Sequence, residues 1–378
     1  MKGIVCGERG RLVGLSKAKK MEIGDEMKGR HVFSTPHTLR FTPHCICKGL
    51  LQIVVLVCVV FGVTLLLPAG EAPLRPVTLA LQWIPQSQFA GFFVAKETGI
   101  YERYGLDVTF LSGGPGISAF GFLKEGKADF ALLWLTSALQ LYDQGYDLVN
   151  LFQVIQRSGL MLVAHADSGI EKPRDMEGKK VSLWGGDFAI APQTFFEQYN
   201  IQVNEIQQSF TMNLFLRRAV DVASAMWYNE YYLLRNSGLD PEEITTFRFS
   251  EYELNFPEDG LYCLAPTIEQ SPRLVQDFVR ASQEGWHEAF RDYERTLDIV
   301  MRYTEEAHTG TNRVHQRWML ARMQDMMMPE DTSRPLGYLR REDFEFVCRQ
   351  LREKQFIETQ PSYDAFHLSF PEGEEVAQ

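Results

Sequence analysis

Eighteen nearly unbroken apolar residues, LLQIVVLVCVVFGVTLLL over Leu50–Leu67, stand apart from the rest of the chain. Beyond Pro76 the apolar residues come in short runs separated by stretches of helical period. VTLALQW (Val77–Trp83), LDVTFL (Leu106–Leu111), Ala128–Trp134 and Leu148–Ile155 are dense enough for strands buried on both faces. Between them the spacing predicts helices over Gln88–Gly99, from the Ser112–Gly116 turn to Lys124, and over Ser137–Gln144. Strands alternating with helices of this length predict a parallel, helix-covered sheet.

A second set repeats the plan. MLVAHA (Met161–Ala166) and Lys179–Trp184 read as strands, followed by a Gly185-Gly186-Asp187 turn and a helix over Phe188–Tyr199. Val220–Trp227 is a strand, Glu230–Asn236 a helix, LYCLAP (Leu261–Pro266) a return strand, and Pro272–Glu306 is helical. The expectation is an α/β chain of two lobes, the first discontinuous, joined by crossing strands near 161–166 and 261–266. Its divisions are a basic leader (1–48), a signal peptide or membrane anchor (49–72), a first lobe (73–163 plus 262–310), a second lobe (164–261) and a helical C-terminal extension (311–378). That extension carries helices over Gln316–Met328 and Arg341–Lys354, and its Met323, Met326, Met327 and Met328 read as core packing.

Charge divides the chain in the same place. Residues 1–50 hold ten Lys/Arg against four Asp/Glu, while the remainder holds 28 against 45. A body that acidic repels nucleic acid and anionic membranes, so no nucleic-acid partner is expected. Basic residues before an apolar run stay cytoplasmic and send the downstream chain across the membrane. Gly70-Glu71-Ala72 offers small residues for cleavage after Ala72, and retention of residues 50–67 as an anchor is the alternative. Either way the body is periplasmic or otherwise extracytoplasmic, touching the membrane only through this segment. Cysteines are sparse: Cys263 and Cys348 alone come after the apolar run, so neither a disulfide framework nor a body metal site is expected. Cys45 and Cys47, with His37 and His44, fall in the presequence.

Two places join a strand to a helix through glycine: Gly113-Gly114-Pro115-Gly116 and Gly185-Gly186-Asp187. Glycine admits close backbone approach, and a helix start presents unpaired N–H donors, so the pair would grip one small ligand from opposite sides. Trp83, Trp134, Trp184 and Trp227 each end or follow a strand, where flat rings suit stacking on a planar ligand. Glu230, after Trp227-Tyr228-Asn229, would accept paired hydrogen bonds from an amino-heterocycle, or simply favour a helix N-terminus. No nucleophile elbow, P-loop or paired-histidine motif occurs in the body.

VTLALQWIPQSQFAGFFVAKETGIYERYGLDVTF, GKADFALLWLTSAL, KPRDMEGKKVSLWGG and VDVASAMWYNE together resemble solute-binding proteins for pyrimidine precursors of thiamine. The same family includes the fungal thiamine pyrimidine synthases. The resemblance implies the type II periplasmic-binding-protein fold, a monomer, and delivery of ligand to an ABC transporter permease. The synthase branch implies a lysine for pyridoxal phosphate within the stretch matching Leu132–Leu135, which has none, and a histidine where Ser137 stands. Its cysteine-rich run is reduced to Cys263. Neither a catalytic residue nor a cofactor is therefore expected. The binding branch implies an aromatic at Trp83 and a glutamate at Glu230, while Gln86-Ser87-Gln88-Phe89 departs from its pattern. The expected ligand contacts are stacking by Trp83 and Trp134, with Gly114, Gly186, Asp187 and Glu230 supplying polar contacts. Gln86, Phe89, Gly113, Ser137, Trp184, Trp227 and Tyr228 complete the lining. The competing readings are a thiamine pyrimidine synthase dependent on pyridoxal phosphate, histidine and iron, and a membrane-tethered sensor domain.

Overall fold

The computed structural model describes residues 73–328 and 335–370. The basic leader, the apolar run over 50–67 and the Cys45–Cys47 segment lie outside the described residues. Among the described residues no helix is long and apolar enough to cross a membrane.

In chain order the strands are β1 (Arg75–Ala80), β2 (Leu106–Leu111), β3 (Phe130–Trp134), β4 (Leu148–Gln153) and β5 (Leu160–His165). Then come β6 (Lys180–Leu183), β7 (Asn204–Gln207), β8 (Val222–Met226), β9 (Ile244–Arg248) and β10 (Asp259–Leu264). They form two five-stranded sheets, ordered β2-β1-β3-β10-β4 and β7-β6-β8-β5-β9. The first three strands of each order pair in parallel, and the fourth, β10 or β5, runs antiparallel to both neighbours. In each sheet that antiparallel strand is the one arriving from the other sheet. Burial explains why these segments are strands: every residue of β3, β4, β5 and β8 is buried, as runs without polar alternation require.

The chain leaves the first sheet after Gln153 and joins the second at Leu160; it leaves after Arg248 and rejoins the first at Asp259. The crossings are thus irregular segments just upstream of the strands over which the sequence places them. Glu258 fastens the two crossings together. Its Oε1 accepts from Ser158 Oγ (2.8 Å), Gly159 N (2.7 Å) and Leu160 N (3.1 Å). Asn255 adds a second tie, accepting from Ser158 N at 2.9 Å and donating to the Gln156 carbonyl at 2.8 Å.

Helices cover the sheets: α1 (Ala90–Glu97), α2 (Ala119–Lys124), α3 (Leu135–Asp143), α4 (Ile190–Tyr199) and α5 (Glu230–Asn236). The helical stretch predicted over 272–306 is two helices, α6 (Pro272–Arg291) and α7 (Tyr293–Glu306). Asp292 divides them because its side chain accepts from Arg295 N and caps the second. Trp286 of α6 is fully buried against Phe92 of α1, with ring centroids 5.9 Å apart.

The extension holds α8 (Arg313–Met327) and α9 (Arg341–Glu353). Helix α8 touches both lobes and the crossing between them. Gln316 accepts from Ser87 N at 2.6 Å through its side chain and from Ser87 Oγ at 2.8 Å through its carbonyl. The Trp318 indole donates to the Trp227 carbonyl at 3.0 Å, and the Met326 carbonyl accepts from Gln156 N and Arg157 N. Met323, Met326 and Met327 are core residues, whereas Met328 is exposed.

Candidate functional site: an inter-lobe crevice

Parallel β1, β2 and β3 bring their C-terminal ends to one edge of the first sheet, where Asp259, the first residue of β10, pairs with Trp134. In the second sheet the ends of β6 and β8 meet the start of β5, with Leu160 opposite Met226. Rings from these two edges touch. Trp134 meets Phe188 at a centroid distance of 4.3 Å, and Trp83 meets Phe210 at 5.7 Å. The crevice outside the carboxyl ends of the strands is where ligands bind in open α/β sheets.

Trp83, Trp134 and Trp184 come together here. Trp184 lies 5.6 Å from Phe188 and donates its indole N–H to the Ser209 carbonyl at 3.1 Å. Ser137 is half-buried in the first turn of α3. Gly113 is buried, and a Cβ there would stand 2.4 Å from the Leu81 carbonyl oxygen, so only glycine lets the ends of β1 and β2 close. Gly114 comes next, and Ile117 N donates to its carbonyl at 2.9 Å.

The first glycine turn does not open a helix. Ser118 caps α2, accepting from Gly121 N, so the predicted helix-start donors are displaced from Gly113–Gly116. Gly186 does begin a 3-10 turn, Gly186–Ala189, which leads into α4; its φ of 65° is left-handed, and Asp187 is the second residue of that turn.

Other predicted lining residues are engaged elsewhere. Phe89 is fully buried and packs edge-on to Phe93 at 6.4 Å, a core contact rather than a crevice wall. The Trp227 ring carries the guanidinium groups of Arg248 (4.6 Å) and Arg322 (4.7 Å), cations that occupy the surface predicted for a ligand. Glu230 is buried; its Oε2 accepts from Met226 N (3.0 Å) and its Oε1 from Asn229 Nδ2 (2.8 Å). Burial raises its pKa to about 7. Tyr228 is buried where Glu258, Asp259 and Glu230 all act on it.

Behind the aromatic rings, sequence reasoning names Gln86 as lining but passes over the roles of Gln88, Glu258 and Asp259. Gln86 Nε2 donates to Gln88 Oε1 at 2.6 Å, and Gln88 Nε2 donates to Asp259 Oδ2 at 2.5 Å. Glu258 and Asp259 are each 1% exposed, and Glu258 Oε2 and Asp259 Oδ1 are buried without a hydrogen-bond partner. Burial raises the Asp259 carboxyl to about 7; burial, then the neighbouring Asp259 charge, raises Glu258 to about 8. Two consecutive acids before a strand look like surface charge, and only the fold reveals that both are interior. Among the described residues no group of three or more His, Cys, Asp or Glu is placed to hold a metal ion.

Two curated relatives and a solved structure resemble this chain. The riboflavin-binding protein RibY of Chloroflexus aurantiacus is 26% identical over 253 residues, 64% of this chain and 70% of RibY. The formylaminopyrimidine-binding protein of Halalkalibacterium halodurans is 21% identical over 309 residues, 79% of this chain and 91% of the relative. Both are named as binding proteins rather than enzymes. The periplasmic aliphatic sulphonate-binding protein SsuA of Escherichia coli superposes with a TM-score of 0.62 at 13% identity, covering 81% of this chain and 96% of SsuA. That likeness shows the two-lobed fold. The NMT1/THI5-like family model matches residues 86–295, more than half of the chain, and the protein belongs to the NMT1/THI5-like family.

Proposed function

We propose that this protein is the extracytoplasmic solute-binding component of an ABC importer, capturing a small heteroaromatic ligand by closure of its lobes. The observation that carries this reading is the meeting of Trp134 with Phe188 and Trp83 with Phe210, aromatic pairs contributed from facing lobes. Rings so placed would separate to admit a planar ligand and stack on it, replacing ring–ring contact with ring–ligand contact. The two crossings, tied by Glu258 and Asn255, form a short double connection of the kind about which lobes rotate. Rotation would assemble a surface for a permease only in the liganded state. Binding rather than catalysis is supported by the names of both curated relatives and by the lack of any lysine over Leu132–Leu135.

A thermal-shift screen against aminopyrimidines, riboflavin and related planar rings tests the proposal. Binding to the folded state alone raises the melting temperature by mass action. At least one heteroaromatic compound is expected to do so; a folded protein unmoved by the whole panel would refute the reading.

A further inference from the structure

Three carboxyl groups, Glu230, Glu258 and Asp259, are buried around Tyr228, and they are not equivalent. Glu230 closes on its own helix start, and Glu258 uses Oε1 to fasten the crossings, leaving its Oε2 buried without a partner within that connection. Asp259 has a different setting. It lies opposite Trp134 in the strand register, directly at the aromatic contact between the lobes. One of its oxygens is held by Gln88, which Gln86 holds in turn, so the carboxyl plane is fixed before any ligand arrives. Its other oxygen, Oδ1, is buried without a well-formed hydrogen bond, and the Trp134 side chain acts on the carboxyl as a further donor, tying the acid to the ring at the inter-lobe contact. Buried polar atoms in native proteins almost always have a partner, and one left over at a crevice marks where a donor belongs.

Among the described residues no basic side chain acts on Glu230, Glu258 or Asp259. An anionic ligand drawn between these lobes would meet like charge on any of these acids that is ionised, or would have to hold them protonated, with no cation beside them to offset it. The acidic excess of the body, 28 Lys/Arg against 45 Asp/Glu beyond residue 50, adds repulsion at long range.

Resting on the crevice as the ligand site, we propose that Asp259, oriented by Gln88, selects the ligand by charge. The crevice takes a neutral or cationic nitrogen heterocycle that presents an N–H donor to Asp259 Oδ1, and it excludes rings bearing carboxylate, sulfonate or phosphate.

Calorimetric titration of the folded protein with 2,4-diaminopyrimidine, orotate and a neutral flavin separates this inference from the reading beneath it. Diaminopyrimidine binds and orotate does not. Asp259→Asn weakens diaminopyrimidine roughly tenfold to a hundredfold, the worth of a charge-assisted hydrogen bond. Gln88→Ala, which leaves the acid in place but unanchored, weakens it less; it decides the matter should Asp259→Asn fail to fold. Orotate binding as tightly as diaminopyrimidine would overturn charge selection. So would wild-type affinity in every variant that folds, or a flavin bound without regard to Asp259 while diaminopyrimidine is ignored. Those outcomes leave the crevice intact as a ligand site. Failure of wild type to bind any of the three refutes the crevice reading itself.

Discussion

Glu258→Gln isolates the cost of burying an acid in the connection between lobes. The amide keeps an Oε1 acceptor for Ser158 Oγ, Gly159 N and Leu160 N but removes the ionisable proton. Folding raises this carboxyl from its ordinary 4.5 to about 8, chiefly by desolvation. The folded state therefore retains a proton that the unfolded chain releases. Its stabilising contribution is complete below pH 4.5 and is lost as pH rises towards 8. Each pH unit within that window costs about 1.4 kcal/mol, so about 3 kcal/mol has gone by pH 7. Asp259 and Glu230, each raised to about 7, act with the same sign and remain in the variant. The readout is therefore the difference in slope. Urea denaturation at half-unit steps from pH 5 to 7.5 should show wild-type stability falling more steeply than the variant's by about 1.4 kcal/mol per pH unit. Parallel slopes would mean that Glu258 ionises in the folded protein, and a closed, dry connection between the lobes would be wrong.

Two further outcomes rest on the same geometry. Gly113→Ala places a Cβ 2.4 Å from the Leu81 carbonyl oxygen, which is backbone and cannot swing aside. It should cost about 1–3 kcal/mol in chemical denaturation and weaken ligand binding, because the ends of β1 and β2 must part; unchanged stability and binding would contradict this. His315 is buried with Nε2 unpartnered, stacked on Tyr232 at 4.8 Å, and desolvation lowers its pKa to about 4. Its contribution is present above pH 6.5 and is lost as pH falls towards 4. His315→Phe keeps the stack without the charge, so its melting temperature should gain on wild type as pH falls from 7 to 5, and a constant difference would refute this.

How much of the fold and the crevice is readable in the sequence depends on burial. The strands with every residue inside, β3, β4, β5 and β8, are visible as apolar runs, and Leu106–Leu111 has the predicted bounds. Strands β7 (NEIQ) and β9 (ITTFR) are not: both are sheet edges, and all of β7 is exposed, so no apolar pattern marks it. Strand-end tryptophans locate the crevice, yet position alone cannot show that Arg248 and Arg322 cover Trp227. Phe89 misleads because an aromatic at a helix start serves core and crevice equally well. The Gln86–Gln88–Asp259 relay joins residues 171 positions apart, a contact no local pattern encodes. The part played by α8 is hidden for the same reason, since Gln316 meets Ser87 across 229 positions.

Native mass spectrometry of the protein as purified, beside a Trp83→Ala/Trp134→Ala double variant, tests ligand capture most directly. Wild type is expected to carry, or to take up from the heteroaromatic panel, one small molecule per chain, and the double variant to carry none at the same concentration. Equal occupancy of a folded double variant, or a wild-type protein that remains bare throughout, would contradict capture between the lobes.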